Sequence, residues 1–98
     1  MTFIFEKERM TARSADGVLM GSVLFPRIRA GLVNISDISV MPAFRRQGVE
    51  AAMMDALLTR LSELGLKAAL TCPFAQQYIE QNPHWKKILP GEMHFTKY

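Results

Sequence analysis

V-M-P-A-F-R-R-Q-G-V-E-A-A-M-M-D-A-L-L-T-R-L-S-E-L, residues Val40 to Leu64, passes from the end of an apolar strand through a basic turn into an amphipathic helix. Val49, Ala52, Met53, Ala56, Leu57, Leu61 and Leu64 recur at helical spacing. Glu50, Asp55, Thr59, Arg60 and Glu63 fill the opposite face. Gly65 stands where a C-terminal cap belongs. A strand, a glycine turn and a helix start make a seat for phosphate. The first amides of a helix have no partner within it, and the helix dipole adds partial positive charge there. Arg45 and Arg46 add full charges beside them.

Upstream, Leu32 to Val40 reads as a strand whose apolar phase switches. Val33 and Ile35 share one phase, Ile38 and Val40 the other. An extra residue near Ser36-Asp37, a β-bulge, accounts for the switch. A strand covered on both faces accounts for it equally. Downstream, Lys67 to Thr71 is a short strand, so strand, helix and strand form a βαβ unit with parallel or splayed strands. Cys72 closes that strand, and Pro73 suits the first turn of a helix running to Gln81. Asn82-Pro83 breaks it, and His84 to Ile88 allows one more helical turn. Leu89 to Tyr98 is expected to be a tail.

Before the central stretch, Thr2 to Glu6 and Glu8 to Ser14 read as strands, and Ala15-Asp16-Gly17 as a turn. Val18 to Phe25 is apolar almost throughout, as in a strand buried on both faces. Pro26 ends it, and Arg27 to Gly31 reads as an arginine-rich loop.

The chain has 98 residues, 49% of them hydrophobic, and a net charge of +3. That length suits a single domain, residues 1–98. The mild charge argues against a dedicated nucleic-acid binder. One cysteine excludes an internal disulfide and a cysteine zinc cluster, so no metal is expected. No signal-like or membrane-spanning run is present, and a soluble cytoplasmic domain, monomer or homodimer, is the expectation.

At R-R-Q-G-V-E the sequence resembles the GNAT superfamily of acetyl-CoA-dependent N-acetyltransferases, whose signature is Q/R-x-x-G-x-G/A at a helix start after a bulged strand. Arg45 and Gly48 match it, and Glu50 departs from it. T-C-P-F-A-Q-Q-Y-I-E-Q-N-P-H-W is similar to the ending of a small GNAT-like family, C-P-[FY]-x-x-x-[YF]-[IL]-x-x-[NH]-P-x-[WY]. Cys72, Pro73, Phe74, Tyr78, Ile79, Asn82, Pro83 and Trp85 match. The resemblance implies a compact α/β fold: a mostly antiparallel twisted sheet, a βαβ unit and a short C-terminal helix. It implies acetyl-CoA as cofactor, with Arg45, Arg46, Gln47, Gly48, Val49 and Glu50 around the pyrophosphate. The backbone of Ser39 and Val40 would meet the pantetheine arm. The helical segment that larger members carry between their first strands is missing, which leaves the amine acceptor undefined.

Cys72, at a helix N-terminus, is the candidate catalytic residue as a transient acetyl acceptor. Equally, it is a small side chain that packs. Tyr78 is a looser candidate for protonating the leaving thiolate, and a packed aromatic otherwise. Glu50 either caps its helix, if Gln47 is the N-cap, or opposes the phosphates. Two functions therefore stand: transfer of acetyl to an amine, or a module that binds coenzyme A, or a partner protein, without turnover.

Overall fold

A computed structural model describes residues 1–91. Seven strands and two α-helices follow in order: β1 (Thr2–Phe5), β2 (Arg9–Arg13), β3 (Leu19–Leu24), β4 (Arg27–Arg29), β5 (Leu32–Ile35), β6 (Asp37–Val40), α1 (Val49–Glu63), β7 (Lys67–Leu70) and α2 (Pro73–Gln81). Short 3₁₀ turns at Pro42–Phe44 and Pro83–Ile88 complete the set. The strands form two sheets. One is antiparallel in the order β1-β2-β3-β6, and the other runs β4-β5-β7, with β5 and β7 parallel.

The phase switch at Ser36-Asp37 is where the long strand changes sheets. β5 lies on β7, whereas β6 lies on β3. The Ser36 N–H donates to the Leu24 carbonyl at 3.0 Å, and Asp37 is also the register partner of Leu24. Two residues thus stand opposite one, which is a bulge. Beyond it β6 has β3 on one side and an open edge on the other.

Helix α1 begins and ends at glycines, but its N-cap is Gly48, not Gln47. Glu50 therefore sits one position too early for a capping box, and no side chain caps this helix. At the other end the Gly65 N–H donates to Ser62 and the Leu66 N–H to Leu61, which closes the last turn in a Schellman motif. The buried stripe of α1 is Val49, Met53, Met54, Leu57, Leu58 and Leu61. It is wider than the periodicity suggested, and Leu64 is exposed instead. The reason is position: α1 touches the sheets on one side and α2 with the Pro83–Ile88 turn on the other. Each of those side chains gains roughly 1.5–3 kcal/mol from burial.

Two other expectations need correction. Arg27 to Arg29 is a strand and not a loop, antiparallel to β5 and exposed at every residue. An edge strand that buries nothing leaves no apolar pattern to read. β3 is not buried throughout: Met20, Gly21 and Val23 are buried, while Leu19, Ser22 and Leu24 are half-buried. The outward face carries the register row Ile4, Thr11, Ser22 and Ser39. Residues 92–98 of the expected tail lie outside the described residues, as does His94. Trp85 joins the core, at 7% exposure, though its buried indole N–H has no hydrogen-bond partner among the described residues.

Candidate acetyl-CoA site

The turn between β6 and α1 is held by short-range contacts. The Phe44 N–H donates to Met41 and the Arg45 N–H to Pro42, forming the 3₁₀ turn. Gln47 Nε2 donates to the Ala43 carbonyl at 3.3 Å. Arg46 has φ 63° and Gly48 has φ 77°, so two residues of the loop lie in the left-handed region. For arginine this costs energy, of order 1 kcal/mol or more. Left-handed residues beside right-handed ones are the backbone pattern from which anion-binding nests are built. Among the described residues, no amide from Arg46 to Ala51 has a protein acceptor; the first to find one is Ala52, which donates to Gly48 at 3.1 Å. A β-carbon on Gly48 would meet no protein atom within 4 Å. The glycine is therefore required by its backbone angle and by the space outside it, not by packing. Arg45, Arg46 and Gln47 are exposed, Val49 is buried and Glu50 is half-buried.

Beside this loop runs the free edge of β6. The Met41 N–H bonds the Met20 carbonyl at 2.8 Å, in the same register that pairs Ser39 with Ser22 and Val40 with Gly21. In an antiparallel ladder these bonds alternate. Ser39 therefore directs its main chain at β3, and Ile38 and Val40 direct theirs at the open edge. Ser39 keeps an exposed hydroxyl 3.3 Å from that of Ser22. The close approach of β3 to β6 depends on Gly21, where a β-carbon would lie 2.5 Å from the Ser39 carbonyl oxygen.

Cys72 marks the point where the sheets part. Its N–H and that of Thr71 both donate to the Ile35 carbonyl, at 3.1 and 3.2 Å, one residue before the bulge. It is the N-cap of α2, its thiol makes no capping bond, and it is 5% exposed. Gln76 Nε2 donates to the Leu70 carbonyl at 2.9 Å and ties α2 to the end of β7. Asn34 and the Thr71 hydroxyl are within hydrogen-bond distance across the β5–β7 pair, at 3.0 Å. Tyr78 stacks on Phe74 with centroids 6.2 Å apart. Burial first, and the Asp55 carboxylate second, push its phenol above the usual tyrosine range. Among the described residues no cluster of His, Cys, Asp or Glu could hold a metal, and no helix is long and apolar enough to cross a membrane.

The chain thus leads from the edge strand β6 through the 3₁₀ turn into the loop from Arg45 to Glu50, while Cys72 bonds Ile35, one residue before the bulge. It also shows three features that the sequence reading did not contain. The left-handed Arg46 left no signal, because arginine is not a residue associated with positive φ. The open main chain of Ile38 needed the register. Gly21 was visible as a glycine inside an apolar run, which marks a close backbone approach.

Comparison with known proteins agrees with this geometry. Residues 9–88 match the family model described as GCN5-related N-acetyl-transferase. Protein NATD1 of Homo sapiens is 31% identical over 61 residues, 62% of this chain and 54% of that protein. The Mus musculus protein of the same name matches at the same identity over 56% of its length, so the chain spans about half the length of these curated relatives. A GCN5-like putative N-acetyltransferase from Staphylococcus aureus superposes with TM-score 0.72 at 17% identity, over 95% of this chain and 91% of that one. Rv2747 from Mycobacterium tuberculosis, solved in complex with CoA and NLQ, superposes with TM-score 0.62 at 23% identity, over 78% of this chain and 47% of that one. A bulged strand leading into an uncapped, glycine-started helix, matched over most of its length, makes this chain a member of the GCN5-related N-acetyltransferase family.

Proposed function

We propose that this protein binds acetyl-CoA between β6 and β7 and transfers the acetyl group to an amine, as a short single-domain member marked by its C-P-F-x-x-x-Y-I-x-x-N-P-x-W ending. One observation carries the reading: the amides of residues 46–51 lack protein acceptors and lie beside two arginines at the end of an open strand edge. The pyrophosphate takes those amides, with Arg45 and Arg46 as counter-charges. The pantetheine amides pair with the open main chain of Ile38 and Val40 as an added strand would. The cofactor supplies an activated acetyl thioester, and a free N–H at Val40 polarises its carbonyl.

Cys72 is the proposed reacting residue. Its thiol would lose a proton to water, its sulfur would attack the thioester carbon, and the bond from that carbon to the coenzyme sulfur would break, the electron pair leaving on the coenzyme thiolate. Tyr78, kept protonated by its surroundings, is the proton source for that thiolate. An amine would then attack the same carbon and lose a proton to water, the carbon–sulfur bond to Cys72 would break to return its thiolate, and Cys72 and Tyr78 would each regain a proton from water. Glu50 favours the second reading, a module that binds coenzyme A without turnover, because a carboxylate beside the amide row competes with phosphate.

Isothermal titration with acetyl-CoA tests the site. The wild type should bind and Gly48→Val should not, since a branched side chain at positive φ both strains the loop and fills the space over the amides. Equal affinity in the two proteins would remove the loop from the site. Binding without turnover on a panel of amines would select the second reading.

A further inference from the structure

We propose that the acceptor of this protein is a primary amine carrying a second positive charge, held on the outward face of β6 with that charge on the Asp37 carboxylate and the reacting nitrogen on the Ser39 hydroxyl. The proposal rests on the reading of β6 as the cofactor edge. Burial alternates along this strand: Asp37 and Ser39 are exposed, while Ile38 and Val40 are half-buried. Ile38 and Val40 pack against the core, on the side where α1 touches β2, β3 and β6. That side is closed to an incoming amine, and the outward face is left to it.

The Ser39 hydroxyl stands one residue from Val40 and 3.3 Å from the hydroxyl of Ser22. A hydroxyl oxygen has two lone pairs, and Ser22 can use only one of them. The other can accept an N–H from a neutral amine, which leaves the nitrogen lone pair free for the acetyl carbon. Ser39 thus holds the amine and does not take its proton. Asp37 lies two residues away on the same face, about 7 Å along the strand. Among the described residues its carboxylate has no hydrogen bond or ion pair. Its register partner is Leu24, whose partner on the far side is Arg9. That arginine is therefore two strands off, about 10 Å, which is a Debye length at 0.1 M salt. Arg13 stands at the other end of β2 and donates to the Gly17 carbonyl at 3.0 Å. Next to Asp37 a groove of about 570 Å³ opens between Leu24, Pro26 and Ser36. Its rim sets Glu6 and Glu8 beside Lys7 and Arg9, so it gives the rest of an amine room without adding net charge. Asp37 is then the charge that selects the acceptor.

Putrescine and butylamine test the proposal, since they differ in the second nitrogen. Release of the coenzyme thiol is followed at saturating acetyl-CoA, with circular dichroism to verify that each variant folds. After correction for its second equivalent nitrogen, putrescine should be favoured roughly fivefold in kcat/KM, the upper range for an exposed ion pair, and the preference should fall as salt rises. Asp37→Asn should erase the preference, Asp37→Glu should keep it and Asp37→Lys should reverse it. Ser39→Ala should lower kcat/KM for both amines, and Ser39→Thr should restore it. Equal use of the two amines by the wild type, or a preference that Asp37→Asn keeps, overturns the proposal. So does a protein that binds acetyl-CoA by titration and acetylates neither amine, a result that leaves the cofactor site standing. A protein that does not bind acetyl-CoA overturns the reading of β6 first, and this proposal with it.

Discussion

Replacing Gly21 by alanine probes the packing that shapes the candidate site. The added methyl carbon would lie 2.5 Å from the Ser39 carbonyl oxygen, 2.9 Å from Met53 Cε and 3.4 Å from Met53 Sδ. The methionine is flexible and can withdraw. The carbonyl belongs to the backbone of β6, and relief there means moving the strand. Overpacking of this kind costs roughly 1–3 kcal/mol. Alanine returns roughly 0.4–1 kcal/mol by restricting the unfolded chain. The net loss is about 1–2 kcal/mol, equivalent to a fall in Tm of roughly 4–16 °C for a domain of this size. Thermal unfolding followed by the fluorescence of the single tryptophan, Trp85, measures it. Met53→Ala supplies the control: Gly21→Ala should remain destabilising in that background, because the carbonyl contact is untouched. A Tm that is unchanged or raised in Gly21→Ala, or a loss that vanishes in the Met53→Ala background, refutes the argument. Displacing β6 should also weaken acetyl-CoA binding at temperatures where the variant is folded.

Glu50→Ala should tighten coenzyme A binding, more so at low salt: like unit charges about 4 Å apart repel by about 1 kcal/mol in water and about 4 kcal/mol at an effective dielectric near 20. Titration at two salt concentrations checks this, and unchanged affinity would place the carboxylate away from the phosphates. Cys72, at 5% exposure, should react with iodoacetamide far more slowly in the native protein than in urea, and coenzyme A should slow it further. A rate that ignores coenzyme A would separate the thiol from the cofactor. Tyr78 should ionise above the ordinary tyrosine value of about 10, as read by tyrosinate absorbance with Tyr78→Phe to identify it. Because its folded pKa is raised, its contribution to stability is complete below about pH 10 and is lost as pH rises through the folded value; Asp55→Asn should bring the transition down. A Tyr78 titration at or below the ordinary tyrosine value would contradict both causes.

Much of this architecture was legible because local chemistry and the fold agree. Gly48 and Gly65 bracket α1, Pro73 and Asn82-Pro83 bracket α2, and the phase switch at Ser36-Asp37 marks the bulge. The illegible parts have physical causes. β4 carries no apolar pattern because it buries nothing. The capping alternative for Glu50 does not hold: Gln47 and Glu50 imitate a capping box, while the left-handed backbone at Gly48 starts the helix. Met54 and Leu58 joined the core because α1 is covered on two sides, which a one-faced helical pattern does not reveal. At the site, the residue types of the loop were readable. Which main-chain groups face the gap depends on register, and register is a property of pairs of strands.

The division of the sheet at Ser36 also has a consequence in time. β1, β2 and β3 are joined by short turns, so their pairing closes small loops at low entropic cost. The β5–β7 pair closes only after the whole of α1 has intervened between its strands. Sheet formation is therefore expected to begin with the N-terminal hairpins and to end with β7, non-local contacts being the slow ones. The proposed site between β6 and β7 is complete only once that last strand has docked. A chain interrupted late in maturation would hold most of its hydrogen bonds without that site.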